Sequence, residues 1–507
     1  MTGRKIRSVI AGILSLSLLL PAGSCSRVHE KEEELVIPPP GCAIEFPDDR
    51  DVYHYDLDLT LDMENHTIGG HVDIEFFNDS DSTWNELCLR DYPSLFADSY
   101  SHGLNTQGDI TTITDITDSR TGELDLTRDP DDVSVLWIDL QRPLKAGKKM
   151  TLSYDFVATI PLCADRFGYM SDKFNVTNFY PILAEFTDGE WSHRGFIDEG
   201  ECFYSEISTY DVTLRTPADC VVASTGEEIS VTEEDGGLTY EIRAPFVRDF
   251  VFVAGIGFEK ETREIDGIRV NVYWDGEDTV ALDDLTYSAD LAFDVTECSF
   301  NAFNDAFGTY PYEELDIILT GLGAGSGMEY PNLVMIDTML CGQYIEYAFE
   351  VCLCHEIGHQ WFMGLVGSDS AGEPWLDESF ASYTELVYYE YLKADDETEI
   401  YSRESYDLCD PNLESGPRYV DRSYDEFRED HADYVLYVYN IGKTALYQME
   451  ECVGREEFHS VIRAYVRRYA FYNASSEDFF YVLYEVAGKD NEDLNNLIAN
   501  CFSSSYL

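Results

Sequence analysis

The chain has 507 residues, room for roughly three domains at about 150 residues each. Hydrophobic residues make up 44% and charged residues 26%, a globular composition that excludes a wholly disordered or fibrous chain. With 98 acidic against 33 basic side chains the formal charge is −65, so the surface repels nucleic acid and anionic membranes, and no nucleic-acid partner is expected.

The start of the chain reads as a targeting segment. Arg4, Lys5 and Arg7 precede an apolar run over 9–20, too short to span a bilayer, and residues 1–24 are expected to be a signal peptide. Small residues lead directly into Cys25, a pattern like a bacterial lipobox in which Cys25 becomes an acylated mature N-terminus. Ala22 stands where that pattern usually has a larger aliphatic residue. The expected location is extracytoplasmic, with a lipid anchor at the bacterial cell membrane, or secreted if Cys25 is not acylated. No later run reaches 18 apolar residues, so membrane contact is expected only through that anchor. Residues 25–46, with Glu32-Glu33-Glu34 and Pro38-Pro39-Pro40, read as a tether. The other twelve cysteines show no CxxC spacing, and both bridges and buried thiols stay open.

Over 47–258 the apolar residues alternate. Tyr55, Leu57, Leu59 and Leu61 set the pattern, and Val72-Ile74-Phe76, Leu152-Tyr154-Phe156 and Tyr210-Val212-Leu214 at every second position repeat it. Period two is the signature of half-buried strands, here taken as an antiparallel β domain. Over 259–507 the character changes. A strand is expected at 268–274, a helix at 284–307, a buried strand at 315–319 and helices at 344–363 and 376–392, with helices from about 376 onward. Ser475-x-x-Asp478 resembles a capping box opening a helix that ends before Gly488. The expected class is multidomain α+β.

Within the 344–363 helix lies His355-Glu356-Ile357-Gly358-His359. Four helical residues turn about 400°, which leaves the two imidazoles about 40° apart on one face. Both can then hold one zinc, with Glu356 free to take a proton from an attacking water. Glu378 follows His359 by 19 residues, at the opening of a second helix, and offers a third ligand. A His, His, Glu set leaves the fourth position of a tetrahedral zinc open, as hydrolysis requires. Asp377 reads either as an orienter of a ligand or as a helix N-cap. Cys352 and Cys354 lie three and one residues before His355, and helical spacing turns Cys354 about 100° from His355, toward packing.

HExxH, 18 residues, then Glu in a Trp375-Leu376-x-Glu378-x-x-Ala381 context resembles the gluzincin aminopeptidases, the aminopeptidase N family. Gly327-Met328-Glu329-Tyr330-Pro331 resembles that family's GAMEN segment. Phe307-Gly308-Thr309-Tyr310-Pro311-Tyr312 resembles its entry to the preceding strand. Tyr439-Asn440-Ile441-Gly442 resembles the setting of its catalytic tyrosine. The resemblance covers about 50–507. It implies an N-terminal β domain over 47–258, then a thermolysin-like α/β zinc peptidase domain over 259–507. It implies one Zn2+ per chain on His355, His359 and Glu378, Glu356 as base and then acid, and Tyr439 as hydrogen-bond donor to the oxyanion. Peptides are the implied substrates, with Glu329 binding the free α-ammonium, Met328 beside it, and Gly327 letting the substrate backbone approach.

There are departures. Tyr330 replaces the last Asn of GAMEN, and Ile441 replaces the usual Lys before the glycine. The N-terminal-domain residue that helps hold the amine has no clear counterpart between Gly168 and Asn178. The sequence runs about 70 residues past Tyr439, which implies a short form without the family's further β and long helical domains. Three alternatives stay open. A thermolysin-like endopeptidase has its third ligand one residue farther on and lacks GMEY. An idle peptide-binding relative would have lost ligands that this chain keeps. For epoxide hydrolysis, as in the leukotriene-processing relative, nothing here is diagnostic.

Overall fold

The computed structural model describes residues 35–47, 50–97, 110–187, 189–194, 204–234, 236–276, 285–323, 326–393, 419–427, 431–503 and 506. The signal peptide and Cys25 lie outside the described residues. Among the described residues no helix is long and apolar enough to cross a membrane.

The alternating segments form strands. In β1 (Tyr53–Asp62) the residues Tyr55, Leu57, Leu59 and Leu61 are buried, and Asp56 and Asp58 face solvent. β2 (Thr67–Phe77) folds back on it, pairing Asp62 with Thr67 and His54 with Glu75. They lie in the middle of an eight-stranded sheet whose order is 227–234, 237–247, 208–217, β1, β2, 149–159, 111–118 and 122–123. Neighbours are antiparallel with one exception, which corrects the sequence expectation: β1 runs parallel to Ser208–Pro217, with Tyr53 opposite Ser208 and Thr60 opposite Arg215. Period two places side chains on a face and carries no information about direction. No tight turn joins these two strands, so nothing local forces them to run opposite. Two four-stranded sheets and a two-stranded one, Phe186–Thr187 with Glu190–Trp191, complete the domain.

Phe258–Ile265 opens a five-stranded sheet. Its inner strands, Ile268–Asp275, Glu314–Thr320 and Leu333–Asp337, run parallel, and the short strand Gly327–Met328 is added antiparallel at one edge. Glu314–Thr320 is buried at every residue, as a strand covered on both faces must be. Helix α1 (Leu285–Phe307) connects Ile268–Asp275 to Glu314–Thr320, α2 (Glu346–Gly358) and α3 (Trp375–Tyr391) follow the sheet, and the remainder is chiefly helical, with Gly442–Val453, Arg455–Tyr469, Ser476–Ala487 and Glu492–Cys501. Ser475 and Asp478 form a reciprocal capping box, and Gly488 ends that helix with φ 75°.

α2 stops at Gly358, earlier than its apolar pattern suggests. Trp361 is fully buried against Phe303 and Phe307 and donates its indole N–H to Gly308 O at 2.8 Å. Burial of that side chain outweighs another helical turn. His359 keeps its backbone bond to His355 O at 3.2 Å, so the helical spacing of the two histidines survives. Cys88, Cys220 and Cys354 are buried free thiols.

Candidate active site

Two helices and one sheet edge assemble the site. His355 lies in the last turn of α2 and His359 caps it, while Glu378 lies in the first turn of α3. The three ligand atoms close on one another. His355 Nε2 is 3.2 Å from His359 Nε2, and Glu378 Oε2 is 3.3 Å from the first and 3.5 Å from the second. Tetrahedral bonds of about 2.0–2.1 Å place ligand atoms about 3.3 Å apart, so these donors fit one zinc.

Each imidazole is oriented from behind. His355 Nδ1 is 3.0 Å from Glu385 Oε1, whose other oxygen accepts from Lys443 Nζ at 2.9 Å. His359 Nδ1 lies 2.7 Å from Asp377 Oδ1 and 3.2 Å from Phe362 O, and Asp377 Oδ2 accepts from the Ser370 hydroxyl at 2.9 Å. Both Nε2 atoms are thereby turned to the metal position. Asp377 is completely buried, and the N-cap position belongs to Pro374, so it acts as an orienter and not as a cap.

The electrostatics suit a dication. Burial disfavours charge on His355, yet hydrogen bonds to Glu378 and Glu385 outweigh it and raise its pKa to about 9. Burial equally opposes the Glu378 charge, but His359 and His355 hold its carboxyl well below the usual range.

Glu356, one residue after His355, shares a second cluster with Glu329 and His359, their ligand atoms all within 4.8 Å of one another. Glu329 and Glu356 are each 6% exposed. Glu329 directly follows the edge strand Gly327–Met328, with Met328 buried at its side. A Cβ on Gly327 would lie 2.5 Å from both Cγ and Oε1 of Glu356, so the space beside this glycine is filled by that side chain. Cys352 Sγ is 3.9 Å from Glu356 Oε1, whereas Cys354 points into the core toward Val351 O.

Tyr439 lies in a π-helical turn, Val435–Ile441, with its ring nearly parallel to His355 and the centroids 6.0 Å apart. Such turns carry an extra residue and recur at functional positions. Ser379, next to Glu378, donates to Val438 O at 2.6 Å and ties this turn to α3.

The sequence reading missed Glu385 and Lys443. Glu385 lies seven residues after Glu378, two helical turns on the same face, a spacing that could have singled it out. It also left the role of Tyr330 open. The Tyr330 hydroxyl reaches Thr177 Oγ1 at 2.9 Å and Asn178 Oδ1 at 2.7 Å, and Asn178 Nδ2 donates to Asp249 at 2.8 Å. The GMEY segment is thus bonded to the N-terminal domain, and Asn178 lines a cavity together with Glu329.

Residues 291–501 match the Peptidase family M1 domain. Aminopeptidase M1-B of Oryza sativa subsp. japonica is 27% identical over 300 residues, covering 56% of this chain and 33% of the rice protein. Aminopeptidase N of Streptomyces lividans is 26% identical over 214 residues, 40% of this chain and 25% of its own. The chain therefore spans about a third or less of the length of these relatives. An M1 zinc metallopeptidase from Deinococcus radiodurans shares the fold with a TM-score of 0.61, covering 90% of this chain and 94% of its own at 18% identity. The domain match falls on the sheet-and-helix region that carries HExxH and Glu378, and the shared fold extends over nearly all the rest: residues 291–501 of the chain form a peptidase family M1 domain.

Proposed function

We propose that the protein is a zinc aminopeptidase that releases the first residue of peptides, with one zinc per chain. The observation that carries this reading is the placement of Glu329, a buried carboxylate from the sheet edge, within 4.8 Å of Glu356 and His359. A second carboxylate there suits a free α-ammonium, which an internal peptide bond does not bring. The Deinococcus metallopeptidase has been crystallised, as a variant, with a Tyr-Ser-Ala substrate, which supports peptides as substrates here.

His355, His359 and Glu378 would hold the zinc, which when bound would supply a Lewis acid for polarising the scissile carbonyl. Glu356 takes the proton of the attacking water and hands it to the leaving amine. Tyr439 donates its hydroxyl to the developing oxyanion. Glu329 anchors the ammonium, assisted by Asn178 as the amide residue of the N-terminal domain. Glu385 and Asp377 keep the imidazoles in the tautomer that presents Nε2. Cys25 carries the lipid anchor in this reading, and Cys25→Ser is expected to move the protein from the membrane fraction to the soluble one.

The test is metal analysis combined with hydrolysis of amino-acid arylamides, with and without N-acetylation. Zinc-dependent cleavage of free-amine substrates alone is expected, with Glu329→Ala losing about ten- to a hundredfold in kcat/KM. Cleavage of acetylated peptides at internal bonds, with Glu329→Ala unchanged, would make the protein an endopeptidase.

A further inference from the structure

The cavity shared by Glu329 and Asn178 contains a polar group that amine binding does not use. It draws its walls from both domains, with Tyr204 and Asp249 from the first and Tyr330, Met363 and Ser368 from the second. Ser368 is 7% exposed, and its hydroxyl has no hydrogen-bond partner among the described residues. The polar groups around it are engaged. Asp249 accepts from the Tyr180 hydroxyl at 2.7 Å, from Asn178 Nδ2 at 2.8 Å and from the Phe250 N–H at 2.8 Å. Arg248 donates to Met363 O at 2.6 Å, Tyr472 O at 2.9 Å and Ser205 O at 3.0 Å. Ser370 is bonded to Asp377.

Buried hydroxyls without partners are rare, and one that lines a cavity is satisfied by whatever enters it. The backbone that carries Ser368 is fixed. Val366–Gly367 pairs with Tyr472–Asn473, and Gly367 O accepts from Ala474 N at 2.8 Å. Tyr204 and Met363 give the cavity apolar walls for the body of a side chain.

We propose that Ser368 reads the tip of the substrate's first side chain, favouring a residue that ends in a hydrogen-bonding group over an apolar one of the same shape. This rests on the aminopeptidase reading above. A protein hydroxyl that would otherwise stay unpaired discriminates against a substrate lacking the partner. Selectivity then lies in the last polar atom of the side chain more than in its length.

The experiment compares kcat/KM for tyrosine against phenylalanine arylamides, and lysine against norleucine arylamides, using the zinc-loaded full chain. Calorimetric binding of L-tyrosine amide and L-phenylalanine amide runs alongside. Wild type is expected to favour the polar member of a pair by about tenfold, the scale of one hydrogen bond, in turnover and in binding. Ser368→Ala should bring that ratio close to one, and Ser368→Thr, which keeps the hydroxyl, should restore it. A wild-type ratio near one for both pairs overturns the proposal, since an ordered water then satisfies the hydroxyl. So does a preference that survives in Ser368→Ala, or an equal loss for both members of a pair, which marks a structural role. Absence of hydrolysis with a Ser368-dependent binding preference sinks the aminopeptidase reading and leaves the pocket assignment standing.

Discussion

Gly327→Ala separates two roles for this glycine, room for the substrate backbone or room for Glu356. An added Cβ would lie 2.5 Å from Glu356 Cγ and 2.6 Å from Cδ, and ordinary contact begins at 3.4 Å. The Glu356 side chain must therefore withdraw by about 0.9 Å. Turning the carboxylate alone does not relieve the clash, because Cγ is also too close. Nor does the strand yield easily, since Gly327 pairs with Ile336 and Ser326 O accepts from Asp337 N at 2.9 Å. A misplacement of about 1 Å costs on the order of a hundredfold in rate, so kcat for a free-amine arylamide should fall about a hundredfold with KM little changed. Zinc content should stay near wild type because no ligand moves, and the melting temperature should drop by no more than a few degrees, the scale of one overpacked methyl group. Glu356→Gln, zinc-loaded and almost inactive, sets the floor of the assay. A raised KM at normal kcat would refute this reasoning and return Gly327 to the substrate backbone.

Tyr439→Phe should lower kcat by roughly two to three orders of magnitude at nearly constant KM, because the hydroxyl acts on the oxyanion; steady-state kinetics on a good arylamide decides it. Lys443→Met takes a donor from Glu385 and so loosens the support of His355. Zinc retention against a competing chelator should weaken about ten- to a hundredfold, and unchanged retention would remove Lys443 from the site's support. Asp316 is buried beside Glu314, and burial first, then the Glu314 charge, raises its pKa to about 7. Between about pH 4 and pH 7 the folded protein keeps a proton that the unfolded chain has released, so stability should fall as pH rises through that window and level off above it. Melting temperature against pH should follow that course in wild type and fall less steeply in Asp316→Asn, the remaining slope coming from Asp249 and Glu390, which burial also raises to about 7.

The parts of this architecture legible in the sequence are those that rest on local spacing. Alternation in Tyr53–Asp62 needs only the pleat, and the convergence of His355 with His359 needs only the helical repeat. Glu378 became legible through its distance from His359. What stayed hidden depends on contacts between segments far apart in the chain. The parallel pairing of Tyr53–Asp62 with Ser208–Pro217 leaves no mark on either segment. The early end of α2 goes with the burial of Trp361, and Lys443 reaches Glu385 from a helix 58 residues farther along the chain. Ser368 looks like any loop serine until its burial is known.

The cavity beside Glu329 is a seam: Asn178 and Asp249 come from one domain and Glu329 and Ser368 from the other, joined through the Tyr330 hydroxyl. On the proposed aminopeptidase reading, metal chemistry and recognition of a peptide's beginning are therefore separable inheritances. The three candidate zinc ligands belong wholly to the second domain, but the seat proposed for a chain end belongs to neither alone. Small rotations of one domain against the other would leave the metal geometry intact while widening or narrowing the seat of the first residue. Drift at the domain boundary can thus retune which peptides are trimmed without touching a single catalytic side chain.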